Sequence, residues 1–343
     1  MTDAELAGLR YVTDQDAGIR RLGTAPRFRY LAPDGKPLRD AAALERIRKL
    51  AIPPAYTEVW ICADPRGHIQ AVGRDARGRK QYRYHARWRE IRDGNKFQHL
   101  VQFARGLPAL RERVEADISR PGLPREKVLA TVVWLLEATL ARVGNEEYAR
   151  INKSFGLTTL RNRHVAVKGT EMRFQFRGKG GKDWRLRIQD RRIARILRSC
   201  QDLPGQALFQ YRDGEGELQP IGSADVNDYL REITGEEITA KDFRTWAGTV
   251  LCALELAGMP PATGIGMAKA QLREAIQRTS ARLGNTPTIC RKCYVHPAVI
   301  DGHAAGSLEV RLRKPAGKGA SLRIEEAAVL SFLRRAARVA AAA

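Results

Sequence analysis

Apolar positions along the chain change their period near residue 89. Ahead of that point, Glu58-Val-Trp-Ile-Cys62 and His68-Ile-Gln-Ala-Val72 are short strand-like runs, and Asp64-Pro-Arg-Gly67 between them is a turn. Ala32-Pro-Asp-Gly-Lys-Pro37 is a second turn between extended segments. Beyond it, helical spacing dominates. Lys127 to Val143 is apolar on nearly all sides, which predicts a buried central helix stopped by Gly144-Asn145. Thr239-Ala-Lys-Asp242 has the form of a capping box, opening a helix whose stripe is Phe243, Trp246, Ala247, Val250, Leu251 and Leu254. Gly266 to Leu283 reads as another helix, closed by Gly284, and Thr286 caps a further one with Pro287 in its first position. The Ala-rich tail is the fraying end of a last helix.

Residues 163–189 break this helical pattern. His164 to Lys168, Met172 to Arg177 and Asp183 to Gln189 alternate apolar and polar side chains, the period of half-buried strands. Lys168-Gly-Thr-Glu171 and Gly178-Lys-Gly-Gly-Lys182 are the turns, so the segment is a three-stranded antiparallel meander. Its second turn presents Lys179 among glycines, without the spacing of a nucleotide P-loop. The expected fold class is therefore α+β. A small N-terminal antiparallel β-sheet domain spans 1–88, and a larger, mainly α-helical domain spans 89–343 and carries the meander. No Gly/Ser linker marks the boundary and no internal repeat is visible.

Charge narrows the partner. Sixty Lys plus Arg against 38 Asp plus Glu give a net +22, with a pI near 10.3. Such an excess points to a polyanion, bound through phosphate neutralisation and counterion release. Arg far outnumbers Lys, which suits forked contacts to phosphate oxygens. No stretch is long and apolar enough to span a membrane, and the N-terminus has no signal-peptide pattern. Five scattered cysteines make no disulfide framework, so a reducing cytoplasm is expected. Cys290-Arg-Lys-Cys293 with His296 nearby lacks the second ligand pair of a structural zinc site, and no metal is expected.

Five residues stand at element boundaries or turns: Arg142, Lys179, Arg244, Asn285 and Tyr294. Three cations, an amide donor and a phenol suit a reaction at a phosphodiester, with the tyrosine as nucleophile. Locally each has an ordinary reading. Arg244, expected at the edge of its helix stripe and partly buried, could pair across the surface. Gly284-Asn285 is a common helix terminator, although Asn285 lies beside a fresh helix N-terminus, a natural anion site.

Together, the order Arg142 (in Leu140-Ala-Arg-Val-Gly-Asn-Glu-Glu-Tyr148), Lys179 (in Phe176-Arg-Gly-Lys-Gly180), Arg244 (in Lys241-Asp-Phe-Arg-Thr245), Asn285 and Tyr294 resembles type IB DNA topoisomerases. The chain is most similar to the compact poxvirus-like branch found in bacteria, over residues from about 55 to 300. The resemblance implies relaxation of supercoiled duplex DNA. Tyr294 would attack the scissile phosphorus to give a 3′-phosphotyrosine and a free 5′-hydroxyl, the strand would rotate, and the hydroxyl would reseal it. No ATP, metal or other cofactor is implied, because the phosphotyrosine keeps the energy of the phosphodiester. Arg142 and Arg244 would hold the nonbridging oxygens. Lys179 would be the general acid for the leaving oxygen, with Arg142 in the proton relay. Many relatives carry histidine where this chain has Asn285, which confines that position to neutral hydrogen-bond donation.

The run from Arg66 to Arg89 holds eight basic residues against one acid, Asp75. It resembles the DNA-contacting segment of the family's N-terminal β domain. Arg74, Arg77, Arg79 and Lys80 would sit on phosphates, while Gln81, Tyr82 and Tyr84 would reach base edges or sugars. If Lys80 to Tyr84 is a strand, the two tyrosines share a face. The implied partner is double-stranded DNA, held by a monomer that clamps it, in the cytoplasm and on the nucleoid. A tyrosine recombinase or integrase is the alternative. Recombinases usually have His-x-x-Arg where this chain has Lys241-Asp-Phe-Arg244, and their first-arginine box also differs. A non-enzymatic DNA-binding protein would not need the ordered five.

Overall fold

Strands β1 (Gly18–Leu22), β2 (Arg29–Leu31), β3 (Thr57–Cys62), β4 (Ile69–Arg74) and β5 (Lys80–Tyr84) form one antiparallel sheet in the computed structural model, ordered β2-β1-β3-β4-β5. The structure describes residues 8–76, 78–312 and 322–342, except for the side chains of 89–96, 98 and 340–342. Strand β3 is buried from Val59 to Cys62 because both of its faces are covered. Ile19, Ile47, Val59, Ile61 and Ala71 cluster on one, and Trp60, Cys62, Ile69 and Val72 on the other. The Trp60 Nε1 donates to the Asp16 carbonyl at 2.9 Å. Its ring lies so close to Gly18 that a Cβ there would meet Nε1 at 2.1 Å, so only glycine fits.

Helix α1 (Ala41–Lys49) supplies Ile47 to the first cluster, and Asp40 caps it by accepting from the Ala42 and Ala43 amides. The hydrophobic pattern did not disclose this helix, because Ile47 is its one buried residue. Contacts divide the chain into two compact units, Met1–Gln98 and His99–Ala343. The boundary falls inside helix α2 (Ala86–Ile118).

In the second unit, helix α3 (Arg125–Thr139) is buried nearly all round, from Val128 to Leu136 with a break at Trp134. It ends sooner than its apolar run suggests. Leu140 turns left-handed at φ 57°, and the Thr139 hydroxyl accepts the Ala141 amide at 3.0 Å. Arg142 is therefore on an irregular segment beyond the helix. Asn145 then caps α4 (Glu146–Asn152) by accepting from the Tyr148 amide. The meander is as the alternation predicts: β6 (Val165–Lys168), β7 (Glu171–Arg177) and β8 (Asp183–Gln189), antiparallel in that order. Helix α5 (Arg191–Gln201) follows. A small ribbon of β9 (Gln210–Arg212) and β10 (Leu218–Pro220) comes next, each strand too short to show a period.

Helices α6 (Ser223–Thr234), α7 (Ala240–Ala257), α8 (Ile265–Leu283), α9 (Pro287–Tyr294), α10 (Pro297–Ala304) and α11 (Ile324–Ala342) complete the unit. Helix α7 is opened by the expected capping box, the Thr239 amide donating to Asp242 Oδ2 at 2.8 Å. It packs against α8, α9 and α11, and is buried on more sides than one stripe would need. Among the described residues no helix is long and apolar enough to cross a membrane.

The last helix is held by charge. Arg111 of α2 donates to Glu137 of α3 at 2.7 Å and to Glu326 of α11 at 2.7 and 2.8 Å. Trp246 Nε1 of α7 also points at Glu326, at 3.4 Å. Burial pushes the Glu326 carboxyl up, but the hydrogen bonds and charge of Arg111 outweigh this and hold it below the usual range. Its stabilisation is thus complete above the ordinary carboxylate value and lost as pH falls through the lowered one. Glu326→Gln should cost about 1–3 kcal/mol in chemical denaturation at neutral pH. It should also flatten the acid limb of the stability-versus-pH curve; an unchanged limb would assign that limb to other carboxylates.

Candidate active site

Arg142, Arg244, Asn285 and Tyr294 come together where the Leu140–Val143 segment, α7 and the α8–α9 junction meet. The Arg142 segment is pinned by its backbone. The Leu157 amide donates to the Arg142 carbonyl at 2.9 Å, and the Thr158 amide to that of Val143 at 2.7 Å. Gly156 permits this approach, since a Cβ there would lie 2.6 Å from the Arg142 carbonyl oxygen and 2.5 Å from Gly144 Cα.

Arg244 is 2% exposed, in place of the partial burial its position on the stripe suggested. The reason is that α7 is enclosed by neighbours that sequence periodicity cannot show. Its Nη1 donates to the Leu140 carbonyl, and its Nη2 to the Leu283 carbonyl at 2.7 Å. Nη2 also reaches Asn285 Oδ1 at 3.3 Å, the same oxygen that accepts from Arg142 Nη2. Two guanidinium groups thus converge on one carboxamide oxygen. Burial, and next the charge of Arg142, press the Arg244 guanidinium down from its usual value, while the Tyr294 phenol pulls it up. Like charges held this closely gain from an anion between them.

The convergence also turns the amide of Asn285. With Oδ1 toward the arginines, Nδ2 points away. Asn285 Nδ2 and Arg244 Nε are buried donors with no hydrogen-bond partner among the described residues. A buried donor left unpaired costs about 1–3 kcal/mol, and phosphate oxygens would satisfy both.

Tyr294 ends α9, 9% exposed, with the Arg244 guanidinium carbon 5.1 Å from its ring centre. Gly248 brings α7 against its backbone. A Cβ at Gly248 would meet the Tyr294 carbonyl oxygen at 2.5 Å and its Cβ at 3.1 Å. The Thr249 hydroxyl donates to the Thr245 carbonyl at 2.9 Å, lies 3.4 Å from the Tyr294 carbonyl and accepts the His296 amide at 3.1 Å. A glycine inside an apolar helix is the sequence signal for such an approach. Gly248→Ala should cost about 1–3 kcal/mol of stability. A thermal melt checks this; a parental melting temperature would show that α7 and the Tyr294 backbone absorb the added methyl.

Lys179 is not gathered with the other four. It sits in a single 3₁₀ turn, Lys179–Gly181, at the tip of the second hairpin, exposed, with its Nζ 5.8 Å from the ring centre of Tyr148. Tyr148 belongs to α4, six residues after Arg142, and its role could not be read from the sequence.

Cys290 lies one turn before Tyr294, buried beside Cys252, and burial pushes its thiol up to about 11. Among the described residues no group of three or more His, Cys, Asp or Glu side chains could hold a metal ion.

In the first unit, Lys80–Tyr84 is the edge strand β5, and the rings of Tyr82 and Tyr84 stack with centres 5.9 Å apart. The polar candidates hold acids. Arg74 pairs with Glu58 at 2.7 Å, Arg79 with Asp75 at 2.7 Å and Lys80 with Asp14 at 2.7 Å, while Gln81 donates to Asp75 at 3.0 Å. Arg77 lies outside the described residues.

Residues 85–308 match the family model of the eukaryotic DNA topoisomerase I catalytic core, more than half of the chain. The DNA topoisomerase 1B of Acanthamoeba polyphaga mimivirus is 32% identical over 285 residues, 81% of this chain and 85% of the viral protein. The chain belongs to the type IB DNA topoisomerases. It is an isomerase that acts on DNA, and the matches do not favour the recombinase alternative. Residues 27–75 of this topoisomerase match the model of the bacterial DNA topoisomerase IB N-terminal domain. The DNA topoisomerase 1B of vaccinia virus (strain Copenhagen) is 20% identical over 270 residues, covering 76% of this chain and 82% of the viral one.

Proposed function

We propose that Tyr294 is the nucleophile of this topoisomerase and that Arg142, Arg244, Asn285 and Lys179 each assist it in a separate way. The phenolic oxygen attacks the scissile phosphorus as its proton leaves to solvent. The bond from phosphorus to the 5′-oxygen breaks, Lys179 gives that oxygen a proton, and a 3′-phosphotyrosine remains. After strand rotation the 5′-hydroxyl returns its proton, attacks phosphorus and releases Tyr294. Arg142 and Arg244 bind the nonbridging oxygens as charge builds. Asn285 adds a neutral hydrogen bond through Nδ2. The observation that carries this reading is the convergence of both guanidinium groups on Asn285 Oδ1, with Arg244 against the Tyr294 ring.

Lys179 reaches the leaving oxygen by exchanging its place over Tyr148 for the DNA. Arg74, Arg77, Arg79 and Lys80 contact phosphates, and Gln81, Tyr82 and Tyr84 contact bases or sugars. The acids that pair with Arg74, Arg79, Lys80 and Gln81 give way to phosphate when DNA binds. The enzyme works as a monomer that clamps duplex DNA, in a bacterial cytoplasm on the nucleoid. The bacterial N-terminal match and the DNA substrate of the family support that setting.

Negatively supercoiled plasmid should be relaxed in EDTA without ATP, and more slowly as salt rises. A requirement for a divalent ion or nucleotide would sink the proposal.

A further inference from the structure

We infer that Trp184 is a positioning residue that sets the Lys179 turn against the Asn285 turn. It rests on the reading of Lys179 as general acid. Trp184 is the second residue of β8, directly opposite Phe176 of β7, and the two rings are parallel with centres 6.1 Å apart. It is 7% exposed. Two glycines lie against its indole, one at each of the fused rings. A Cβ on Gly178 would come within 2.7 Å of Cδ1 and 2.7 Å of Nε1, at the pyrrole edge. A Cβ on Gly284 would come within 2.6 Å of Cζ2 and 3.1 Å of Cη2, at the benzene edge.

Each glycine immediately precedes a proposed site residue, Lys179 on one side and Asn285 on the other. Both turns therefore bear on one rigid ring, which ties the position of one to that of the other. Gly178 has an ordinary backbone, φ −93°, so its conformation does not call for glycine; the ring does. Gly284 is needed twice, for its φ of 64° and for the same ring. The Lys179 turn is closed on itself, with the Gly178 amide donating to the Lys182 carbonyl at 2.7 Å and the Gly181 amide to that of Gly178 at 3.0 Å. Trp184 is where this closed turn meets Gly284, the residue before Asn285. Misplacing a reacting group by about 1 Å can cost about 10²-fold in rate. Trp184 touches no reacting atom; it acts through Lys179.

The test compares single-turnover cleavage of prebound duplex DNA with the same duplex carrying sulfur in place of the scissile 5′-oxygen. An alkyl thiol loses its proton near roughly 8.5, so sulfur departs as a thiolate without a general acid. Trp184→Ala should be about 10- to 100-fold slow on the oxygen substrate and within about threefold of the parent on the sulfur one. Its DNA affinity should be unchanged. Gly178→Ala, which crowds the ring without opening a cavity, should give the same pattern, and it decides the matter if Trp184→Ala does not fold. Parental rates on oxygen, or equal slowing on both substrates, would overturn the inference. Lys179→Ala is measured alongside. If sulfur fails to restore it, the general-acid reading is wrong; if sulfur restores it but neither Trp184→Ala nor Gly178→Ala, only the role of Trp184 falls.

Discussion

Tyr294→Phe is expected to bind duplex DNA as the parent does and to yield neither a covalent adduct nor a relaxed plasmid. The substitution removes one oxygen and keeps the ring that fills the end of α9. That ring is 9% exposed and lies against Arg244, so its packing and its contact with the guanidinium survive. The fold should melt within about 1 kcal/mol of the parent, since no large apolar volume is lost. Chemistry is a different matter. Without its nucleophile the enzyme retains only its power to bind and polarise the phosphate, and losses on the order of 10⁵ or more follow when a nucleophile is removed. Residual relaxation within about tenfold of the parent would mean that another group attacks phosphorus.

Arg244→Ala should combine a kinetic and a structural loss. Removing one donor to the developing charge slows cleavage by about 10²–10³. The same guanidinium also bridges the carbonyls of Leu140 and Leu283, which come from elements 143 residues apart. Leaving those acceptors buried and unpaired costs about 1–3 kcal/mol each, so the melting temperature should fall as well. Arg244→Lys should not restore activity, because one ammonium cannot span the acceptors that a forked guanidinium reaches. DNA affinity should change little, since the proposed phosphate contacts of Arg74, Arg79 and Lys80 lie elsewhere. An affinity loss as large as the rate loss would move Arg244 from catalysis to binding.

The sequence disclosed those parts of the fold that depend on near neighbours. The meander showed because each strand alternates over its own length and each turn carries glycine. The starts of α7 and α9 showed through Thr239-Asp242 and Thr286-Pro287, which act within one turn. Burial of Arg244 was not legible, because it depends on α8, α9 and α11 closing around α7. The end of α3 at Leu140 was missed for a similar reason. The stop comes from the Thr139 hydroxyl and from carbonyls that pair with Leu157 and Thr158, not from the glycine downstream. The acids that hold the N-terminal basic run are partly distant, with Lys80 meeting Asp14 across 66 residues. The five candidates could be named from their order, but the pairing of Arg142 and Arg244 on one amide oxygen is a property of three dimensions.

The most direct measurement is the chemistry of the trapped adduct. Enzyme and nicked or supercoiled DNA are mixed, quenched with denaturant, digested with protease and nuclease, and the peptide bearing a nucleotide is sequenced by mass spectrometry. The modified residue should be Tyr294, joined to a 3′-phosphate, with the 5′ end of the broken strand a free hydroxyl. A nucleotide on any other residue, or a linkage to a 5′-phosphate, would contradict the mechanism.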